Sequence, residues 1–142
     1  SDLIIILAIP EIQLLTRESR QVIPTQVELS DCIHNMANTA SITAAFCNND
    51  YNLLKDSLID FIIEPVRSKL IPGFPDAKEA AFAAGAHGMS ISGSGPTVFA
   101  ITNTSRNATN IESAMKKAFN DNGIGCETLV TSPCIEGVTK IM

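Results

Sequence analysis

The chain has no tryptophan, one tyrosine and six phenylalanines in 142 residues, so no ladder of aromatic side chains is present on which bases could stack. Its ten Lys and Arg residues are outnumbered by fifteen Asp and Glu, and the cations do not cluster. With a formal charge of −5 and a pI near 4.9, the electrostatic footprint of a nucleic-acid binder is missing. Long hydrophobic runs are also missing. The longest, Leu3 to Pro10 and the stretch around Leu58 to Ile63, fall well short of the ~20 residues a membrane helix needs, and no basic, apolar, small-residue signal opens the chain. Nucleic acid and membrane are therefore not expected as partners, and the chain reads as soluble and cytoplasmic.

Cys32, Cys47, Cys126 and Cys134 show no CxxC spacing, and His34 and His87 form no metal-ligand pattern with them; the reading is free, mostly buried thiols and no metal site. Asn103-Thr104-Ser105 and Asn107-Ala108-Thr109 match the glycosylation sequon, which has meaning only in a secreted chain, and both are read as chance.

At 142 residues, 45% of them hydrophobic, the chain suits one compact domain over 1–142. It opens abruptly: Ser1-Asp2 leads at once into the apolar run from Leu3 to Ile9 without an initiator Met, the look of a segment from a longer protein. That run predicts a strand buried on both faces and stopped by Pro10. A short helix follows, with Thr16 as N-cap and Pro24 as terminator. Ser30 is expected to cap a longer helix from Asp31 to about Cys47, with Ile33, Met36, Ala37, Ala40, Ala44 and Cys47 on its apolar face and His34 and Asn35 at the edge of that face. Further helices are predicted over Tyr51 to Ile63, around Pro65 to Leu70, from Ala77 to Ala86 after Asp76, and from about Ser105 to Asn122-Gly123. Strands are expected at Met89 to Ser92, Thr97 to Thr102, Cys126 to Thr131 and Gly137 to Ile141. The order points to an α+β fold of ferredoxin-like split βαβ type, an antiparallel sheet with helices on one face, enlarged by a helical insertion between Thr16 and Ile71.

Between two of these strands lies Ser92-Gly93-Ser94-Gly95-Pro96, a turn with two glycines and two hydroxyls that can contribute to an anion site or simply connect strands. No Lys-Ser or Lys-Thr follows the glycines, so it is not a Walker loop, and the spacing is not a dinucleotide fingerprint.

Three segments taken together carry more. Leu15-Thr16-Arg17-Glu18-Ser19-Arg20, then Glu64-Pro65-Val66-Arg67 with Leu70-Ile71-Pro72-Gly73-Phe74, then Gly85-Ala86-His87-Gly88 leading to Ser92 through Ala100, resemble the carboxyl-terminal half of the homoserine kinases. These belong to the galactokinase, homoserine kinase, mevalonate kinase and phosphomevalonate kinase (GHMP) superfamily. The resemblance runs from Asp2 to about Gly137. The glycine turn is a superfamily feature, whereas the Thr-Arg-Glu-x-Arg and Glu-Pro-x-Arg segments in that order are more specific.

The resemblance implies an enzyme that transfers the γ-phosphoryl group of ATP to the homoserine hydroxyl on the route to threonine. It places Arg20 and Arg67 on the amino-acid substrate and Thr16 near its hydroxyl, roles that suit a guanidinium, which can grip a carboxylate with two parallel hydrogen bonds. Ser92, Gly93, Ser94 and Gly95 are implied to support the nucleotide site. Ser19 and Ser94 stand where Ala also occurs in such motifs. The family's phosphate-binding loop has no counterpart, so this fragment is expected to hold no catalytic residue, to use ATP and Mg only as part of the full-length enzyme, and to be inactive alone. Implied partners are homoserine, ATP and its own missing amino-terminal domain, with a homodimer left open. Two other readings stay open: a stand-alone amino-acid sensor of ferredoxin-like fold, and a dimerisation module.

Overall fold

The architecture follows from two alternating faces of one sheet. In the computed structural model, which describes residues 2–134, 136, 137 and 140, the strands are β1 (Ile4–Pro10), β2 (Gly88–Ile91), β3 (Val98–Thr102) and β4 (Cys126–Thr131). They pair antiparallel in the order β2-β3-β1-β4, with Ile6 opposite Ala100 and Val130. β1 and β2 thus run parallel with β3 between them, the split βαβ arrangement expected from the sequence.

The helices are α1 (Thr16–Gln21), α2 (Leu29–Asn48), α3 (Tyr51–Ser57), α4 (Glu64–Arg67), α5 (Phe74–Ala83) and α6 (Ser105–Asp121), with a 3-10 turn over Ser68–Leu70 after α4. Ile6, Ala8, Met89, Val98 and Ala100 on one face of the sheet are buried against Ala77 and Ala81 of α5 and Ile111, Met115 and Phe119 of α6. The opposite face carries a smaller cluster, in which Leu3, Ile5, Phe99 and Ile101 meet Ala45 of α2 and Leu54 of α3. The inserted helices therefore cover part of the second face. They leave its β4 side open: Ile9 is 38% and Leu129 52% exposed. β1 is accordingly covered on its second face only toward its start, where Ile5 is half-buried. No described helix is long and apolar enough to cross a membrane.

Several helix limits differ from the sequence reading. α1 starts after Leu15, because Glu18 Oε2 accepts the Leu15 N–H at 3.0 Å and satisfies a group that a Thr16 cap would have left open. α2 starts one residue before Ser30, with Glu28 at the N-cap position and no side-chain cap. α3 begins on an Asp50 cap but stops at Ser57 rather than Ile63. α5 starts at Phe74 behind Gly73, whose φ of +80° suits glycine, so Asp76 lies inside its first turn. The expected strand from Gly137 to Ile141 falls largely outside the described residues.

The stripe of α2 assigned to the core faces outward. Ile33 is 56% and Met36 72% exposed, and Ala37, Ala40, Ala44 and Cys47 are also at the surface. The inward face is partly polar because the chain beneath it offers unpaired backbone groups. Asn35 Oδ1 accepts the Phe61 N–H at 2.9 Å, and Asn38 Nδ2 donates to the Ile59 carbonyl at 2.8 Å.

All four cysteines are free, as expected, but only Cys126 is buried; Cys32 is half-buried, and Cys47 and Cys134 are exposed. Burial pushes the Cys126 thiol above its ordinary range. A thiol-specific disulfide reagent at pH 8 is expected to label Cys47 and Cys134 first, Cys32 more slowly, and Cys126 only in denaturant; rapid labelling of Cys126 in the native protein would contradict this packing.

Candidate substrate site

The three motif segments, distant in sequence, meet at one side chain. Arg67, the last residue of α4, donates from Nε to the Ser19 carbonyl of α1 at 3.2 Å and from Nη1 to the Gly93 carbonyl at 2.9 Å. Two of its five N–H donors are thus committed. One Nη1 hydrogen and both Nη2 hydrogens have no partner among the described residues, so the guanidinium keeps donors with which to bind a carboxylate. Arg67 is half-buried and lines a cavity of about 210 Å³ with Asp60, Ile63, Glu64, Ser90 and Gly93.

Both acids in this cavity are held by local partners, Glu64 by a cation and Asp60 by hydrogen bonds alone. Asp60 Oδ1 accepts from the N–H groups of Ile62 (2.8 Å) and Ile63 (3.0 Å) and from Asn35 Nδ2 (2.9 Å), while Oδ2 accepts the Glu64 N–H at 3.0 Å. Glu64 Oε1 pairs with Lys78 of α5, and Oε2 accepts from Ser90 Oγ at 2.9 Å. A larger, more open hollow of about 740 Å³ lies beyond Phe61, Pro65 and Val66. Its acids, Glu28 and Asp31, have no cationic side-chain partner among the described residues, so this hollow is the less suited of the two to an anion.

Arg20 and Thr16 lie on α1, four residues apart and so on one side of that helix, both exposed and without hydrogen-bonding side-chain partners among the described residues. The Arg67–Ser19 bond places the end of α1 beside Arg67, one residue before Arg20. Ser19 itself is buried with an unpartnered Oγ, so Ala at this position would forfeit no hydrogen bond.

The glycine turn is braced from behind. The Ser92 N–H donates to the Thr97 carbonyl at 2.9 Å, the Gly95 N–H donates to the Ser92 carbonyl at 3.1 Å, and the Gly95-Pro96 bond is cis. Gly93 and Gly95 have φ of +60° and +81°. Gly95 is favoured by its positive φ, and a Cβ there would also crowd Ile71 Cδ1 at 3.1 Å and Ile91 Cγ2 at 3.4 Å. Ser94 is half-buried, and the Ser92 backbone closes the turn.

The sequence reading missed Asp60, Lys78, Ser90 and the support that Asn35 gives. A signal was present: an Asp four residues ahead of a Glu-Pro helix start is a turn-forming acid that can collect several N–H groups.

Burial raises the Asp60 carboxyl pKa, but hydrogen bonds from the Ile63 and Ile62 N–H groups, Asn35 and the Glu64 N–H outweigh it, so the group ends below its usual 3.8. A depressed folded-state pKa contributes stability that is present above the unfolded value and lost as pH falls through the folded one. Asp60→Asn is expected to cost about 1.5 kcal/mol at pH 7, the low end of the scale for hydrogen bonds to a charged group because solvent screens this half-buried side chain, and to flatten the loss of stability below about pH 4. Urea unfolding across that range checks both; an unchanged acid limb would remove Asp60 from this role.

Residues 42–121 match the family described as GHMP kinases C terminal. The chain is 37% identical to the homoserine kinase of Carboxydothermus hydrogenoformans over 97% of its own length and 44% of that protein's. It is 36% identical to the homoserine kinase of Pyrococcus abyssi over 92% of the chain and 43% of the relative. The crystal structure of homoserine kinase from Cytophaga hutchinsonii superimposes with a TM-score of 0.90 at 40% identity, covering 92% of this chain and 42% of that one. The chain thus spans less than half the length of the curated relatives it matches.

Proposed function

The chain belongs to the family of GHMP kinase carboxyl-terminal domains, and on that premise we propose that residues 1–142 form the substrate-binding carboxyl-terminal domain of an ATP-dependent homoserine kinase. The observation that carries this reading is Arg67, a half-buried guanidinium that joins α1 to the glycine turn and keeps donors uncommitted at the cavity. The names of the similar proteins support the choice of substrate.

Arg67 takes the carboxylate of homoserine with its uncommitted donors, and Arg20 adds a second positive charge from α1. Thr16, one turn before Arg20, stands near the substrate hydroxyl. Gripping the carboxylate fixes the far end of the amino acid and so aims its hydroxyl at the phosphoryl group, and phosphoryl transfer depends chiefly on such positioning. Ser92 to Gly95 support the nucleotide site from this side. Among the described residues no group of three or more His, Cys, Asp or Glu comes together to hold a metal, and the glycine turn has no Lys to reach a phosphate. These residues do not fit Mg or the nucleotide phosphates, which we assign to an amino-terminal domain of the same kinase.

Arg67→Ala in the enzyme containing both domains is expected to raise KM for homoserine roughly tenfold or more while KM for ATP stays near normal, the equivalent of one sheltered charged hydrogen bond. Arg20→Ala should behave alike, and an unchanged homoserine dependence would take either residue out of the site. The 142-residue chain by itself is expected to show no homoserine-dependent ADP release in a coupled assay. A Gly/Ser-rich phosphate loop is expected upstream in the same reading frame; its absence would favour the sensor or dimerisation readings instead.

A further inference from the structure

We propose that Glu64, clamped by Lys78 and Ser90, is a positioning residue that sets where the Arg67 guanidinium stands; the proposal rests on the reading of Arg67 as the residue that takes the substrate carboxylate. α4 is a single turn, Glu64–Arg67, with no buried residue. One turn of helix has no stability of its own, and apolar packing does not orient this one. Polar contacts do so instead. At its start the Glu64 carboxylate bridges Lys78 on α5 and Ser90 on β2, tying the turn to two elements of the main core. Arg67 follows three residues later, on the same side of the turn as Glu64, and both side chains line the same cavity.

The pair is sheltered. The Glu64 and Lys78 side chains are only 12% and 23% exposed, so removing one charge leaves the other poorly solvated and frees the start of α4 to shift. Small displacements of a gripping group are costly in catalysis because the bound geometry determines the rate and the substrate requirement. Glu64 is assigned no substrate contact in this scheme; its two oxygens are engaged by Lys78 and Ser90. Its effect passes through Arg67.

A double-mutant cycle in the two-domain enzyme tests this, using Glu64→Gln, Arg67→Ala and the pair, with KM for homoserine, KM for ATP, kcat and thermal midpoint measured for each. Glu64→Gln keeps the shape and an oxygen for Ser90 but removes the charge that Lys78 neutralises. The expected result is a rise of about fivefold or more in KM for homoserine, the equivalent of about 1 kcal/mol, with KM for ATP within about twofold. That rise should vanish when Arg67 is already Ala, because a residue acting through Arg67 has nothing left to act on. Ser90→Ala, a milder change, is expected to give a smaller shift of the same kind and serves if Glu64→Gln does not fold. Equal effects of Glu64→Gln in both backgrounds, or parallel losses in both KM values and thermal midpoint, would overturn the proposal. So would a normal homoserine dependence in Glu64→Gln beside a large defect in Arg67→Ala, which leaves the substrate reading standing. A normal homoserine dependence in Arg67→Ala would instead end the substrate reading and this proposal with it.

Discussion

The pair of hydrogen bonds from Arg67 to the Ser19 and Gly93 carbonyls is the constraint on which the candidate site depends. α1 has a single buried residue, Ser19, and that residue buries a hydroxyl rather than an apolar group. Packing therefore contributes little to where α1 lies. A guanidinium is suited to the task, since its planar fork reaches two carbonyls in different segments and its charge does not change with pH. Hydrogen bonds to a charged group contribute about 1.5–3 kcal/mol, with the low end fitting the solvent-exposed bond to Gly93.

The ends of this clasp differ in stiffness. On the sheet side, the glycine turn is held against Ile71, Ile91 and Leu14, and Ile71 belongs to the buried core. On the other side, α1 is exposed for most of its length. α4 lies between them, its Glu64 N–H bound by Asp60 and its Glu64 carboxylate clamped, so a line of polar contacts runs from the core to α1. For a domain proposed to bind a small zwitterion, this arrangement presents charge from a fixed frame while α1 is left adjustable.

The main sheet and the face under α6 were legible in the sequence because both rest on periodicity. Ile111, Met115, Ala118 and Phe119 recur at helical spacing and are buried as that spacing requires, and the strand order followed from the order of elements. The inserted helices were less legible. The outward stripe of α2 has the same period as a core face, and it is the burial of Ala45 together with the Asn35 and Asn38 bonds to residues 59–61 that shows its other side pointing inward. The extension of α3 to Ile63 failed because the helix ends at Ser57, with Leu58 at a ψ of 59°, and beyond it the Asp60 side chain collects three backbone N–H groups that a continued helix would have used. The motif arginines were visible from resemblance. That one of them fastens the other motifs together depends on contacts across 26 and 48 residues, which no local pattern encodes.

The most direct test of the Arg67 clasp is amide hydrogen exchange on the 142-residue chain with Arg67 intact and with Arg67→Lys, which keeps the charge but loses the fork. The clasp predicts that the protected amides of α1 exchange about tenfold faster or more in the Lys variant, while those of β1 and β3 keep their protection. Unchanged protection in α1, or protection lost equally in α1 and the sheet, would contradict it.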